Sequence, residues 1–350
     1  MGKSSMFIPI TVAILFVLGL VLMFTLTPGA RDAVTPPANP HAGAPVTPVD
    51  GPLDSVTDPT ASPSQPQETQ PEPTEPTEPP IPPDTTLPDG KVLNAHHSFV
   101  YDTRENRLVF CGGDADDHIF PASITKIMTC HLMLKYMDPA TIVTVGDELT
   151  YIDPYSSKAD LRKGDKLSVE LLVYAMMLPS GNDAAYTAAA ACGRHIAEDP
   201  DMDCVSAIRL FVREMNEEAK LLGMKNTNFV TPDGNHDDNH YTSTRDLSIL
   251  VNAVLDNALI RSAARTPKKD VSDVFGRTQV WYNSNALIRS EKTFYTPTAV
   301  GLKTGTTGMG GSCLVALFME DDGYLIIGVL GSTSDANRYR DALTLYELYK

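Results

Sequence analysis

Residues 27 to 90 set the first limit on what this chain can fold into. Proline recurs through them, most densely in the quasi-repeat PEPTEPTEPP, among threonine, glutamate and serine and with almost no aromatic residue. Such a segment cannot bury enough apolar surface to offset the entropy lost on ordering, so a disordered linker is expected. It would reach ~190 Å as extended polyproline II and ~45 Å as a coil, enough in either form to hold a folded domain at a distance. Ahead of it, residues 6 to 26, MFIPITVAILFVLGLVLMFTL, carry no charge. As one helix they would span ~31 Å, about the hydrocarbon thickness of a bilayer. The TLTPGARDA that follows is a poor cleavage site, which favours an uncleaved transmembrane anchor over a removed signal that would leave a secreted protein. Lys3 is the only charge before the span, which predicts the N-terminus inside and the remainder outside the cell membrane, crossed once. The domains expected are therefore 1–26 as stub and anchor, 27–90 as linker, and 91–350 as the folded part.

Ten Asp and Glu against one Arg in the linker supply much of the formal net charge of −16. The rest stays acidic and has no basic cluster, so nucleic acid is not expected as a partner. The five cysteines include no C-x-x-C pair and show no zinc framework. Cys192 and Cys204 can pair across CGRHIAEDPDMDC or serve as small buried hydrophobes.

From residue 96, HHSFVYDTRENRLVF reads as two strands around a polar turn. Helical patterns follow: one from Ser123, then LSVELLVYAMML with Ser168 as its cap, NDAAYTAAAACGRHIA, VSAIRLFVREMNEEAKLLGM and STRDLSILVNAVLDNA. Strands return as TQVWYN, AVGLK, SCLVALFM and YLIIGVLG before a last helix, DANRYRDALTLYELY. Strands at both ends with helices between them predict one sheet built from the two termini, with an inserted helical lobe.

Three short stretches in that frame carry chemistry. In FPASITKIMT, Ser123 and Lys126 are three apart at a helix start and so share a face. The pair is either an ordinary helix beginning or a nucleophile with its base, the latter if burial or a second cation lowers the lysine pKa. In LPSGNDAA, Ser180 and Asn182 lie two apart in an interhelical loop, where a hydroxyl can pass a proton and an amide can hold a peptide group. The same residues suit a turn whose Asn182 or Asp183 caps the next helix. In GLKTGTTG, a strand reaches Lys303, Thr304 and Gly305. A strand edge can bind an extended peptide, Gly305 permits close backbone approach, and Lys303 can depress the Lys126 pKa or attract a carboxylate.

S-x-x-K, S-x-N and K-T-G in this order, on a helix start, an interhelical loop and a late strand, form the motif set of penicillin-interacting serine enzymes. With LRKGDKLSVELLVYAMMLPSGNDAA, LLGMKNTNFVTPDG, HYTSTRDLSILV and VGLKTGTTGMGGSCLVA, the chain from about 90 onward resembles the low-molecular-mass penicillin-binding D-alanyl-D-alanine carboxypeptidases. The resemblance implies a β-lactamase/transpeptidase-like α/β fold, an antiparallel sheet flanked by helices plus an all-helical region with the site between them. It implies Ser123 as acylated nucleophile, Lys126 as base and Ser180 as proton shuttle. It further implies that Asn182 holds the peptide and that Lys303, Thr304 and Gly305 bind near the terminal carboxylate. The oxyanion hole would be the backbone N–H groups of Ser123 and Thr306, Arg338 would be a carboxylate-binding arginine, and Arg245 a supporting residue. No metal or other cofactor is implied. The partners implied are peptidoglycan stem peptides as substrate and β-lactams as inhibitors, with the membrane reached through the N-terminal helix.

Asp233-Gly234-Asn235 departs from the family's usual His-Gly-Leu, and the N-terminal span is expected to replace the C-terminal anchor of many relatives. Four other functions share parts of this pattern. A class A β-lactamase usually has S-D-N and a separate deacylating glutamate. A D,D-endopeptidase would use the same scaffold on cross-links. A zinc peptidase would use His236 and His240 in GNHDDNHY, whose spacing suits a metal only on a helix. A wall-binding module would have lost its motif residues, and all are present.

Overall fold

The structure, a computed structural model, describes residues 86–350. The anchor assigned to residues 1–26 and nearly all of the linker lie outside the described residues. Thr86 bridges to Val92 and Leu87 is buried, so packed chain already begins within the last residues assigned to the linker.

Strands β1 (His97–Asp102) and β2 (Arg107–Gly112) form the hairpin expected around the polar turn. A 3-10 turn over Ala122–Thr125 then runs into α1 (Lys126–Tyr136). The short strands β3 (Ile142–Thr144) and β4 (Lys166–Ser168) pair with each other and lead to α2 (Val169–Met177), whose first turn Ser168 caps by accepting from Leu171 N. The lobe continues with α3 (Asn182–Ile196), α4 (Cys204–Leu222), α5 (Thr244–Val254) and α6 (Ala258–Arg265). Helix α6, absent from the sequence reading, starts where the Asn257 side chain accepts from Leu259 N and Ile260 N. Strands β5 (Lys268–Asp270) and β6 (Val280–Tyr282) flank the short α7 (Ser272–Phe275). Strands β7 (Ala299–Thr307), β8 (Gly311–Glu320) and β9 (Gly323–Ser332) and helix α8 (Asp335–Tyr349) close the chain.

The main sheet runs β2-β1-β9-β8-β7, antiparallel throughout. It joins the two ends of the folded part, as the sequence predicted. Side chains alternate between its faces, as the pleat requires. Phe99, Val315, Leu317 and Ile326 pack into the core shared with α1 to α6, while Val100, Leu314, Phe318 and Ile327 pack under α8. There Tyr346 stacks on Phe318 with ring centroids 4.1 Å apart. Both faces are thus covered, and β7 is left as the edge strand beside the nucleophile turn.

All five cysteines are free, Cys192 buried and Cys204 half-buried. Of the two readings offered for that pair, the unpaired one holds. Among the described residues no single helix is long and apolar enough to cross a membrane.

Candidate active site

The 3-10 turn that carries Ser123 packs against β7 where that strand lacks a side chain. A Cβ on Gly305 would come within 2.9 Å of Ser123 N and 3.0 Å of the Ala122 side chain, so only glycine lets the strand lie this close. Ala122 itself has φ 49° and Ser180 φ 62°. These are left-handed conformations that side chains adopt rarely and that concentrate at functional sites.

Lys126 is fully buried, and its ammonium has three neighbours: Ser123 Oγ at 2.8 Å, Asn182 Oδ1 at 2.7 Å and the Asp233 carbonyl at 2.8 Å. The last two can only accept. When the amine is neutral, its two N–H groups go to those oxygens, and its lone pair is left facing the serine hydroxyl. Burial lowers its pKa from 10.5 to about 8, against the opposing fields of Asp233 and Asp183. Lys303 is likewise held well below its ordinary value, first by burial, then by Lys126 and Arg338, and the repulsion between the two buried amines acts on both.

Lys303 is buried and donates to Ser180 Oγ at 2.9 Å and to the Thr304 carbonyl at 2.8 Å. Thr304 Oγ1 lies 2.6 Å from Ser284 Oγ. Asn182 begins α3 with its Oδ1 given to Lys126, so what it can offer a substrate is its amide N–H. Neither side chain caps the helix, whose N-cap is Gly181; Asp183, in the first turn, accepts from Ala184 N and also from Ala159 N and Leu161 N, fixing the loop opposite. Ser123, Asn182, Asn235, His236 and Thr306 line a cleft of about 280 Å³ whose outer wall is Asp153 and Tyr155 to Ser157. That wall could not be read from the sequence, because nothing local marks a loop held from afar, by Asn182 N on the Ser157 carbonyl and by Asp183 just beyond it.

The two arginines are held by protein groups. Arg338 is buried on α8 and donates to the Gly305 carbonyl (2.9 Å), Thr306 Oγ1 (3.1 Å) and the Cys313 carbonyl (3.2 Å), with Asp335 on its other nitrogen. It braces β7 from behind. Arg245 is half exposed and pairs with Asp116 at 2.8 Å, outside the residues lining the cleft. Both ring nitrogens of His240 are engaged by protein groups, and no cluster of three His, Cys, Asp or Glu suited to a metal occurs among the described residues. That removes the zinc peptidase. Among the described residues lining the cleft, Asp153 is the one carboxylate, so the glutamate of a class A β-lactamase has no counterpart there.

Fold and site together define a serine hydrolase in which a buried lysine amine lies beside the serine hydroxyl. A family model described as D-alanyl-D-alanine carboxypeptidase matches residues 84–334. The chain belongs to that family. It is 30% identical over 237 residues to a D-alanyl-D-alanine carboxypeptidase of Streptomyces sp. (strain K15), an alignment spanning 65% of this chain and 78% of the relative. A D-alanyl-D-alanine carboxypeptidase of Bacillus subtilis (strain 168) is 28% identical, with 69% of this chain and 58% of the relative aligned. The chain thus spans little more than half of that second relative's length. The crystal structure of the Streptomyces K15 DD-transpeptidase superposes with a TM-score of 0.66 at 27% identity, covering 73% of this chain and 97% of that one. Penicillin-binding protein D2 of Listeria monocytogenes, solved with cefotaxime, shares the fold at a TM-score of 0.60 and 24% identity, covering 74% of this chain and 98% of that one.

Proposed function

We propose that this protein removes the terminal D-alanine from peptidoglycan stem peptides ending in D-Ala-D-Ala. The observation that carries the reading is the buried Lys126 amine 2.8 Å from Ser123 Oγ, with two acceptor-only oxygens on its other side. The peptide lies along the free edge of β7, and the Asn182 amide donates to it. Ser123 Oγ bonds to the carbonyl carbon of the penultimate D-alanine while its proton passes to Lys126. Backbone N–H groups of Ser123 and Thr306 hold the oxyanion. The C–N bond then breaks, and Ser180, backed by Lys303, delivers a proton to the leaving amine. Lys303 with Thr304 lies near the substrate's terminal carboxylate. Water finally attacks the acyl carbon and frees Ser123. A β-lactam enters by the same first step, and the lack of a cleft glutamate supports slow release.

The apolar segment 6–26 would anchor the protein once in a bacterial cell membrane, with the proline-rich stretch as tether and the catalytic domain outside. Composition and hydropathy support that placement.

The test is to incubate the protein with a D-Ala-D-Ala pentapeptide and identify the products, then treat it with penicillin and map the adduct. Free D-alanine and one adduct on the peptide containing Ser123, absent from Ser123→Ala, are expected. Rapid penicillin turnover, or an adduct that persists in Ser123→Ala, would sink the reading. Because a solved relative is a DD-transpeptidase, an added amine acceptor tests transfer of the same acyl group to nitrogen.

A further inference from the structure

His240 shares with His236 the spacing that first suggested a metal, yet the fold gives it different work. Its chain segment is bridged on one side to Ile119, upstream of the nucleophile, and on the other to Asn228, upstream of the turn that carries Asp233. The side chain, 2% exposed, lies between the two. Nδ1 is 3.1 Å from Val230 N and 3.3 Å from Thr231 N, so it accepts, and the ring proton must sit on Nε2. Nε2 lies 2.9 Å from Thr125 Oγ1, which in turn donates to the Ala122 carbonyl at 2.8 Å.

The donors and acceptors therefore run one way, from the 230–231 backbone through the imidazole and the Thr125 hydroxyl into the turn that presents Ser123. The two segments also meet where Thr129 Oγ1 donates to the Pro232 carbonyl at 2.5 Å and where Lys126 donates to the Asp233 carbonyl. Next to it, Gly234 has φ 83°, and a Cβ there would stand 1.8 Å from the Ala122 carbonyl oxygen. The Asp233 carbonyl can hold the lysine amine only if its turn keeps this register against the nucleophile turn.

We infer that His240 is a positioning residue for acylation, one that locks the 230–234 turn to Thr125 so that the Asp233 carbonyl aims Lys126 at Ser123. It touches neither substrate nor reacting atoms. The inference rests on Ser123 and Lys126 being the acylating pair.

His240→Asn keeps an acceptor near Val230 N and removes the donor to Thr125. Thr125→Val cuts the same link from the other side, and Thr125→Ser restores the hydroxyl. The readout is the pH dependence of penicillin acylation, with non-covalent affinity measured separately. The ionisable neighbours of Lys126 are Asp233, Asp183, Cys130, Lys303 and His240 itself; Thr125→Val alters none of them, and His240→Asn removes only its own ring. The Asn and Val variants are expected to lose about ten- to a hundredfold in maximal acylation rate, with affinity held within about twofold. Their acid limb should move to lower pH, because a carbonyl that accepts from the ammonium favours its protonated form. The Ser variant should regain most of the rate. A general loss of folded protein would lower the amplitude and leave the limb in place. An unmoved limb, or wild-type rates in both cutting variants, would overturn the inference; if the Asn variant does not fold, the Val and Ser pair decides. No adduct on the wild type would overturn the Ser123–Lys126 reading itself.

Discussion

Acylation by this site is expected to follow the deprotonation of Lys126. With a pKa of about 8, ~10% of the enzyme holds a neutral amine at pH 7, whereas an ordinary lysine would offer ~0.03%. Burial therefore raises the competent population by ~300-fold, equivalent to ~3 kcal/mol. The perturbation is pH itself, checked against Lys126→Arg, which keeps the charge and cannot supply a neutral amine near neutrality. Stopped-flow acylation with a chromogenic cephalosporin from pH 6 to 10 should rise about tenfold per pH unit and level off above pH 8. The Arg variant should give no adduct while its circular dichroism stays native. A flat profile, a limb near 10.5, or an active Arg variant would refute the assignment. The first would free the base from Lys126, the second would mean that the amine is hydrated, and the third would move the base elsewhere.

Arg338→Ala removes donors from two buried carbonyls and from Thr306 Oγ1, so a loss of about 1–3 kcal/mol in unfolding free energy is expected by denaturant titration. kcat/KM should fall alike for a free-acid peptide and its C-terminal amide; a loss confined to the acid would show that the guanidinium reaches the substrate carboxylate. Gly234→Ala puts a Cβ into the Ala122 carbonyl and should cut penicillin acylation by at least about tenfold, with about 1–2 kcal/mol of backbone strain besides. Near-wild-type acylation would show that the two turns can separate without harm.

What the sequence disclosed was whatever chemistry is carried by short-range spacing. Ser123 and Lys126 three apart, Ser180 and Asn182 two apart, and Lys303 followed by Thr304 and Gly305 each fixed a local geometry, and their order predicted that the three would converge. The near-continuous apolar runs SCLVALFM and YLIIGVLG are those of strands buried on both faces. The remainder depends on contacts between residues far apart in the chain. Nothing in GSTSDANRYRD says that Arg338 turns inward to carbonyls of β7 and β8, and nothing around Asp183 says that it clamps residues 159 to 161. Arg245 looked like a site residue because its neighbours match the family, yet its guanidinium stays at the surface with Asp116. The pairing of His236 with His240 as ligands failed for the same reason, since only the fold reveals that one faces the cleft and the other is sealed behind it. Helix α6 was within reach, because Asn257 before ALIRSAAR is an adequate start signal.

The position of β9 has a consequence for the life of the nascent chain. That strand lies between β1 and β8, with His97 opposite Leu330, so the sheet's earliest-made hairpin must wait for a strand translated after every helix of the lobe. Ser123, Lys126, Ser180 and Asn182 are all translated well before Lys303 and the strand that carries it. Closing such long loops is entropically costly and slow. A chain stalled before residue 323 would carry both lysine motifs and no sheet continuous enough to bring them together. The enzyme is thereby silent until β9 has been made, and a polypeptide translated only as far as β8 has no working centre with which to meet either substrate or drug.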